Sequence, residues 1–128
     1  MKTMKYYAVA AVASILMIGI SKSAHADWKT NAEVEANRGL PRMVNNEIMA
    51  TRVQVDERGP TYYMKMVRYP AAAINQTFLN NSKQGSAQQW CASKDRSRLD
   101  QGMTITYVIS GSDDAVAGSY VISKSSCQ

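Results

Sequence analysis

The chain has 128 residues and carries 15 Lys and Arg side chains against 10 Asp and Glu, with one histidine and two cysteines. This length favours a single domain with one modest core. The charge gives no strong argument for nucleic-acid binding, because three of the positive side chains lie in a predicted signal peptide and 12 positive against 10 negative groups remain.

The first 26 residues have the pattern of a cleaved bacterial signal peptide. Two lysines precede an apolar run at residues 6–20, which is too short for a comfortable membrane span. Ala24-His25-Ala26 fits the small-x-small site of signal peptidase, so we expect cleavage before Asp27. An uncleaved N-terminal anchor is the alternative, and the lack of a cysteine near this boundary argues against a lipid-anchored form. We therefore expect a periplasmic or secreted protein of a Gram-negative bacterium.

Cleavage would leave residues 27–128 without any histidine, because His25 is the only one. Its removal excludes Ser-His-Asp and Cys-His nucleophilic sites and ordinary His-containing zinc sites in the mature chain. No second long apolar run follows, so we expect no membrane span after cleavage. We expect a non-enzyme that binds no cofactor and no metal.

Residues 27–47 are a polar, weakly patterned arm, and residues 48–128 are predicted to form a single α+β domain. Within the arm, Asn31 could cap a short helix at Ala32–Arg38, which Gly39 would end. We therefore expect the arm to be partly helical.

Two predicted strands open the domain as an antiparallel hairpin. The first strand is predicted at Glu47–Asp56, and its side chains alternate from Met49 onward, which places Met49 and Val53 on one face. Turn residues at positions 57–60 join this strand to Thr61–Tyr69, which is rich in aromatic and β-branched side chains.

A helical segment follows the hairpin. Pro70 is predicted to open a helix at Ala71–Asn80, and residues 81–85 would break or kink it. A second helical stretch is predicted at Ser86–Cys91, and one or two further turns at Lys94–Gln101.

A second predicted hairpin closes the chain. Alternating side chains over Met103–Ser110 and the β-prone run Ser119–Lys124 flank turn residues at 111–114. The resulting order, (α)ββααββ, predicts an α+β domain. In this domain a four-stranded antiparallel sheet, made of two β-hairpins, packs one face against one or two helices.

Cys91 and Cys127 are predicted to form a disulfide. In an oxidising compartment two cysteines allow only one intramolecular pair. Closing a loop of about 36 residues contributes about 4 kcal/mol in the chain-entropy model. A redox-active thiol pair is the alternative, but the sequence has no C-x-x-C spacing.

Two acidic pairs, Asp56-Glu57 and Asp113-Asp114, could serve acid/base chemistry or bind Ca²⁺. Both lie at predicted turns, where Asp is common because its side chain hydrogen-bonds the local backbone. We therefore expect neither a catalytic residue nor a metal ligand among them.

A candidate interaction surface combines the second strand with a basic cluster at residues 94–100. One face of that strand must be partly exposed, and exposed Tyr, Met and Arg side chains are typical of interaction surfaces. The basic cluster is either a contact patch for an acidic partner or a solvated helix face with internal ion pairs. Strand edges could also accept a partner strand. The candidate residues are Tyr62, Tyr63, Met64, Arg68, Arg96 and Arg98.

The C-terminal half carries four short motifs: Trp90-Cys91, Arg98-Leu99 followed by Gly102, the strand Thr104–Tyr107, and the terminal Cys127. This pattern resembles small Gram-negative periplasmic proteins of the quorum-sensing-regulated virulence factor family. Secretion-system pilotins are broadly similar in build. The resemblance implies an α+β fold with a disulfide between a helix and the last strand, and it implies no catalytic residues.

We therefore expect an exported, non-enzymatic interaction protein that serves virulence, conjugation or a secretion machine. The alternative is an inhibitor of a hydrolase such as lysozyme or a protease, because small disulfide-bonded exported domains often have that role. An enzyme that uses carboxylates alone is the third hypothesis. We expect a protein partner and no nucleic acid.

Overall fold

A computed structural model describes residues 28–128, so the predicted signal peptide at residues 1–26 lies outside the described residues. The helices are α1 Trp28–Ala36, α2 Gln76–Ala92 and α3 Arg96–Asp100. The strands are β1 Arg42–Met43, β2 Ile48–Val55, β3 Pro60–Met66, β4 Ile105–Ser110 and β5 Val116–Ile122. Short 3₁₀ turns lie at Ala71–Ala73 and Lys124–Cys127. None of the helices within residues 28–128 has the length and apolar character needed to cross a membrane.

The five strands form one mixed sheet in the order β1-β2-β3-β4-β5. Neighbouring strands are antiparallel except β3 and β4, which are parallel and pair Tyr63 with Val108. The prediction of four strands in an all-antiparallel sheet is therefore wrong in count and in direction. The helices between β3 and β4 carry the chain back across the sheet, so that β4 begins at the same end as β3. The two residues of β1 are too few to show an alternating pattern.

A β-bulge in β2, between Ala50 and Arg52, changes which side chains are buried. Ile48 and Ala50 before the bulge, and Val53 after it, are 2–3% exposed and lie in the core. The extra residue shifts the alternation by one position. The predicted grouping of Met49 with Val53 on one face is therefore wrong, because the two side chains lie on opposite faces of the sheet.

α2 continues without a break through residues 81–85, where the sequence predicts a break or a kink. Asn75 caps the helix by accepting a hydrogen bond from the Phe78 N–H at 2.9 Å. Phe78 and Trp90, one on each side of the predicted break, are 1% and 2% exposed. Packing of the helix on the sheet therefore outweighs the low helix propensity of the stretch between them.

α1 begins at Trp28, four residues earlier than predicted, and packs on β2 with Ala32 and Ala36 fully buried. Asn37 follows the helix, and its side chain lies beside the outer edge of β2. Its Nδ2 donates to the Val53 carbonyl oxygen at 2.7 Å, and the Val53 N–H donates to its Oδ1 at 2.9 Å. The amide therefore replaces a neighbouring strand at this point of the edge.

The core lies between the helices and one face of the sheet. Cys91 and Cys127 form the predicted disulfide, which joins the end of α2 to the turn that follows β5. The largest fully buried side chains are Trp90, Tyr62, Tyr107, Phe78, Ile48, Met64, Met66, Leu99, Ile105, Ile109 and Ile122.

Candidate interaction surface

The second face of the sheet carries side chains that are half-buried or exposed, in contrast to the buried face under the helices. We call it the uncovered face. At its centre, Arg52, Tyr63, Val108 and Ser119 lie side by side across β2, β3, β4 and β5. Strand alternation places these residues opposite the core residues of the same strands.

Tyr63 is held by two side chains of β2. The Arg52 guanidinium carbon lies 3.8 Å from the centroid of the Tyr63 ring, and the Tyr63 hydroxyl donates to Gln54 Oε1 at 2.6 Å. A cation–π contact at an exposed site contributes about 0.5–1 kcal/mol. Because ring and guanidinium are already ordered, a partner that covers them loses less side-chain entropy on binding.

Within residues 28–128, three of the four exposed large apolar side chains belong to this face. They are Met43, Val116 and Val121, which are 44%, 64% and 44% exposed; the fourth is Val34 on α1. Apolar side chains grouped beside Tyr and Arg are typical of protein-binding surfaces. The uncovered face therefore has the composition of a contact surface.

The Asp113-Asp114 pair stabilises the turn between β4 and β5. Asp114 Oδ1 lies 2.8 Å from Lys65 Nζ on the uncovered face. Asp113 Oδ1 accepts a hydrogen bond from the Ala71 N–H at 3.1 Å, and this bond is the largest cause that lowers the pKa of the Asp113 carboxyl below its usual value. The pair therefore has a structural role in this turn.

The Asp56-Glu57 pair has a similar structural role at the turn between β2 and β3. Asp56 Oδ1 accepts hydrogen bonds from the Arg58 and Gly59 N–H groups at 2.8 and 3.2 Å. Glu57 forms an exposed ion pair with Lys29 at 3.2 Å. Across residues 28–128, no three His, Cys, Asp or Glu side chains converge in a way that could hold a metal ion.

Four of the predicted surface residues lie on or just after β3. Tyr62 and Met64 are 1% and 2% exposed and belong to the core, so their prediction as contact residues is wrong. Tyr63 lies on the uncovered face, and Arg68, which follows β3, is exposed. The alternation of strand residues separates Tyr62 from Tyr63, because neighbouring side chains point to opposite faces.

The basic cluster is not brought together with Tyr63. Arg96 and Arg98 lie on α3, on the helical side of the sheet, with Arg96 exposed and Arg98 half-buried. Arg98 lines a cavity of about 360 Å³ together with Trp28 and Arg58, at the turn that joins β2 to β3. The six predicted residues therefore do not form one surface.

Sequence reasoning missed Arg52 and Gln54, the two residues that hold Tyr63. Both alternate with apolar residues, which indicated exposure, but their position beside Tyr63 depends on the register of β2 against β3. That register includes the bulge at Ala50–Arg52. The sequence feature that could have led to these contacts is the predicted hairpin, which has Arg52 and Gln54 on one strand and Tyr63 on the other.

Three tyrosines form a row beneath the helices, on the core side of β3, β4 and β5. The ring centroids of Tyr62 and Tyr107 are 5.3 Å apart, and those of Tyr107 and Tyr120 are 5.2 Å apart. Trp90 Nε1 donates to the Tyr107 hydroxyl at 2.9 Å, and Ser86 Oγ lies 3.1 Å from the Tyr120 hydroxyl. Burial raises the pKa of Tyr120 to about 12 and raises the pKa values of Tyr62 and Tyr107. The phenols therefore stay neutral at physiological pH and join the helices to the sheet.

No protein-family model matches the chain, and no curated protein matches it in sequence. Solved structures do share its fold. A Pseudomonas aeruginosa protein inferred to be secreted has a TM-score of 0.65 at 14% identity, covering 92% of this chain and 94% of its own. The type 2 secretion pilotin EpsS from Vibrio vulnificus has a TM-score of 0.60 at 19% identity, covering 78% and 88%.

A second pilotin, AspS of the Vibrio cholerae type II secretion system, has a TM-score of 0.52 at 22% identity, covering 94% of this chain and 99% of its own. At these identities the similarity shows the fold alone. The pilotin-like build indicated by the C-terminal motifs is therefore supported, whereas the resemblance to the quorum-sensing-regulated virulence factor family stays a prediction.

Proposed function

We propose that the protein is an exported accessory protein that binds a protein component of a secretion machine. The support for this function is the fold, which is similar to those of two type II secretion pilotins. Among the roles expected from the sequence, this fold favours secretion over conjugation or a general part in virulence. The predicted signal peptide at residues 1–26 and the Cys91–Cys127 disulfide fit a periplasmic or secreted location.

The observation that carries the proposal is the composition of the uncovered face. Arg52 and Tyr63 form an ordered pair at its centre, and Met43, Val116 and Val121 are exposed around it. Aromatic, Met and Arg side chains are enriched at interfaces, and Tyr and Arg are common hot-spot residues. No feature of residues 28–128 favours the hydrolase inhibitor over this function.

Co-purification tests the proposed function. An affinity tag inserted between Ala26 and Asp27 stays on the mature protein after signal cleavage. We expect the tagged protein to recover a specific envelope protein from a periplasmic extract of its own bacterium. Arg52→Ser and Tyr63→Ser should each lower that recovery about tenfold, because truncation of a hot-spot residue has an effect of this size.

Arg96→Ser is the matched control, because it removes an exposed arginine from the helical side of the sheet. This variant should recover the partner as well as the wild-type protein does. Recovery of no specific partner at any salt concentration would contradict the proposal. Inhibition of lysozyme or trypsin by the purified protein, with no envelope partner, would favour the inhibitor instead.

A further inference from the structure

β5 lies at one end of the sheet, and its sequence lacks the features that usually protect an edge strand. Residues 116–122 contain no charged residue and no proline. Natural proteins usually block an edge with lysine, proline, a very short strand or a covering segment. The opposite edge is blocked in this way, because β1 has two residues and Asn37 binds both backbone groups of Val53.

The hydrogen-bond pattern of β4 shows which backbone groups of β5 point outward. The Thr104 N–H donates to the Arg58 carbonyl oxygen at 2.9 Å, just before the parallel β3–β4 ladder. In a parallel ladder alternate residues of one strand bond to the same neighbour. Even-numbered residues of β4 therefore bond to β3, and odd-numbered residues such as Tyr107 bond to β5.

Tyr107 pairs with Tyr120, so the N–H and C=O of Tyr120 point toward β4. The same groups of Ser119 and Val121, one residue to either side, then point away from the sheet. Neither residue makes a hydrogen bond across that edge within residues 28–128. β5 therefore presents free donors and acceptors spaced for pairing with another strand.

α2 and the disulfide hold this edge in place from its core side. A Cβ atom at Gly118 would lie 2.6 Å from Leu79 Cδ1, so the absence of a side chain there lets α2 sit directly on β5. Further along the strand, Ser86 of α2 contacts the Tyr120 hydroxyl. The Cys91–Cys127 bond fixes the turn after the strand. The edge is thus ordered before any partner arrives, which lowers the entropy lost on binding.

The surroundings of the edge indicate what kind of segment it would accept. Val121 is 44% exposed on the uncovered face, so an apolar side chain on an added strand would cover it. Lys83 of α2 and Lys124 lie at the end of the edge where β5 stops, because Lys83 lines a concavity together with the turn at residues 125–128. Asp113 and Asp114 lie at the turn before β5, so an acidic side chain on an added segment matches the charge at the Lys124 end only.

We propose that the β5 edge binds an extended segment of a protein partner by strand addition, and that this segment alternates apolar and polar residues and carries an acidic side chain at the end that lies beside Lys124. Main-chain hydrogen bonds to Ser119 and Val121 would supply affinity. Contact between Val121 and an apolar side chain of the added strand would supply specificity. The inference rests on the proposed function, because it names the way in which the partner would be held.

Peptide selection tests the edge directly, whichever protein the partner is. The mature protein, purified with its disulfide intact, is used to select binders from a phage-displayed library of random linear peptides. Hydrogen exchange is then measured with and without a selected synthetic peptide. We expect alternating sequences with an acidic residue at one end, and we expect exchange at the Ser119 and Val121 amides to slow about tenfold as they gain partners.

Val121→Pro should weaken peptide binding about tenfold, because proline removes an outward N–H that the β4–β5 ladder does not use. Val121→Thr keeps the N–H and the β-branched shape, so it should bind within about twofold of wild type. Val121→Asp keeps the N–H but replaces the apolar contact with a charge that repels an acidic segment, and it serves as a second variant if the proline variant does not fold.

Selected peptides that protect other amides, or that bind Val121→Pro and Val121→Asp as tightly as wild type, would overturn the proposal. It would also be overturned by a library that yields no edge binder, or by a dimer of the free protein that Val121→Pro dissociates. If partner recovery is lowered by Tyr63→Ser and not by Val121→Pro, the proposed function stands. Only the inference about the β5 edge is then rejected.

Discussion

The two edges of the sheet differ in how their backbone groups are used. At the β2 edge, the Asn37 side chain binds both the N–H and the C=O of Val53. At the β5 edge, the outward groups of Ser119 and Val121 have no partner within residues 28–128. One edge is therefore closed from outside by a side chain, and the other is left open.

β5 is nevertheless supported from its core side, as β2 is by α1. It is held by the Tyr120–Ser86 contact, by Leu79 over Gly118 and by the disulfide that follows it. An open edge needs such support, because a frayed strand presents no ordered template to a partner. An edge strand can therefore lack a neighbouring strand and still be held in place by contacts on its buried face.

Removal of the disulfide should have the largest effect, and it should loosen β5 before it loosens β2. The double variant Cys91→Ala, Cys127→Ala opens a loop with a sequence separation of 36 residues. We expect the free energy of unfolding to fall by about 4 kcal/mol, as the chain-entropy model gives for a loop of this length. Urea denaturation measures the loss, and hydrogen exchange should quicken in β5 before it does in β2.

The wild-type protein alkylated without reduction is the control for this experiment, because it keeps the bond. A loss of under about 1 kcal/mol would mean that the other contacts hold the C-terminal turn by themselves. Equal loosening of both edges would contradict the view that the disulfide supports β5 in particular.

Asn37→Ala should open the closed edge. It removes the two hydrogen bonds to Val53 and a third, in which Nδ2 donates to the Glu33 carbonyl oxygen at 2.7 Å. We expect a loss of about 2 kcal/mol, because two half-buried backbone groups are left without partners. The exposed edge should also raise self-association above that of wild type, which sedimentation velocity measures.

Asn31→Ala is the matched control, because Asn31 is an exposed asparagine in α1. It should leave the free energy of unfolding within a few tenths of a kcal/mol of the wild-type value. Its self-association should equal that of wild type. Self-association that is equal in Asn37→Ala and in wild type would show that the Asn37 side chain does not protect this edge.

Ser86→Ala should weaken the core contact beneath the open edge by a smaller amount. Tyr120 is 7% exposed, and its hydroxyl would lose the Ser86 oxygen that lies 3.1 Å away. We expect a loss of about 1–2 kcal/mol, the usual effect of a buried polar group that loses its partner. Thermal unfolding measures it, with Ser97→Ala, an exposed serine on α3, as the control.

The pH dependence of stability should report the burial of the Tyr120 phenol, which the Ser86 contact partly offsets. Burial raises the pKa of Tyr120 from 10.0 to about 12, so the folded state holds this proton more tightly than the unfolded state. The stability that results is complete below pH 10.0 and is lost as the pH rises through the folded pKa. A phenolate absorbance titration of wild type, from which that of Tyr120→Phe is subtracted, should show Tyr120 ionising late. In this difference, ionisation near pH 10.0 in the folded protein would contradict the burial of Tyr120.

The parts of the fold that local pattern determines were predictable. The Cys91–Cys127 pair followed from compartment and count, and the buried set of β4 followed from its alternation. The parallel pairing of β3 with β4 was not predictable, because alternation gives the faces of a strand and not its neighbour. The bulge in β2 was equally hidden, since one extra residue reverses the faces without any change in composition.

The candidate surface shows the same limit. The sequence indicated that one of the two alternating sets of the predicted strand Thr61–Tyr69 is exposed, and period-two spacing left the two sets equivalent. Packing of Trp90 against Tyr107 makes the Tyr62 set the buried one. The contacts of Tyr63 with Arg52 depend on the β2–β3 register, which no local pattern specifies. A surface made of side chains from several strands was therefore predictable only in part.

Asp113→Asn should have the smallest effect on the open edge, because the residue is exposed and acts only at the turn that leads into β5. Its Oδ1 accepts hydrogen bonds from the Ala71 and Ala115 N–H groups at 3.1 and 3.4 Å, and the Ala71 bond is the main cause of its lowered pKa. Asparagine keeps an acceptor oxygen and loses the charge.

Because the folded pKa of Asp113 lies below 3.8, the charge stabilises the fold above that pH, and this contribution is lost as the pH falls through the folded pKa. Urea midpoints of wild type and Asp113→Asn should therefore differ at neutral pH and converge in acid. A pH-independent difference for Asp113→Asn would show that the charge does not support this turn.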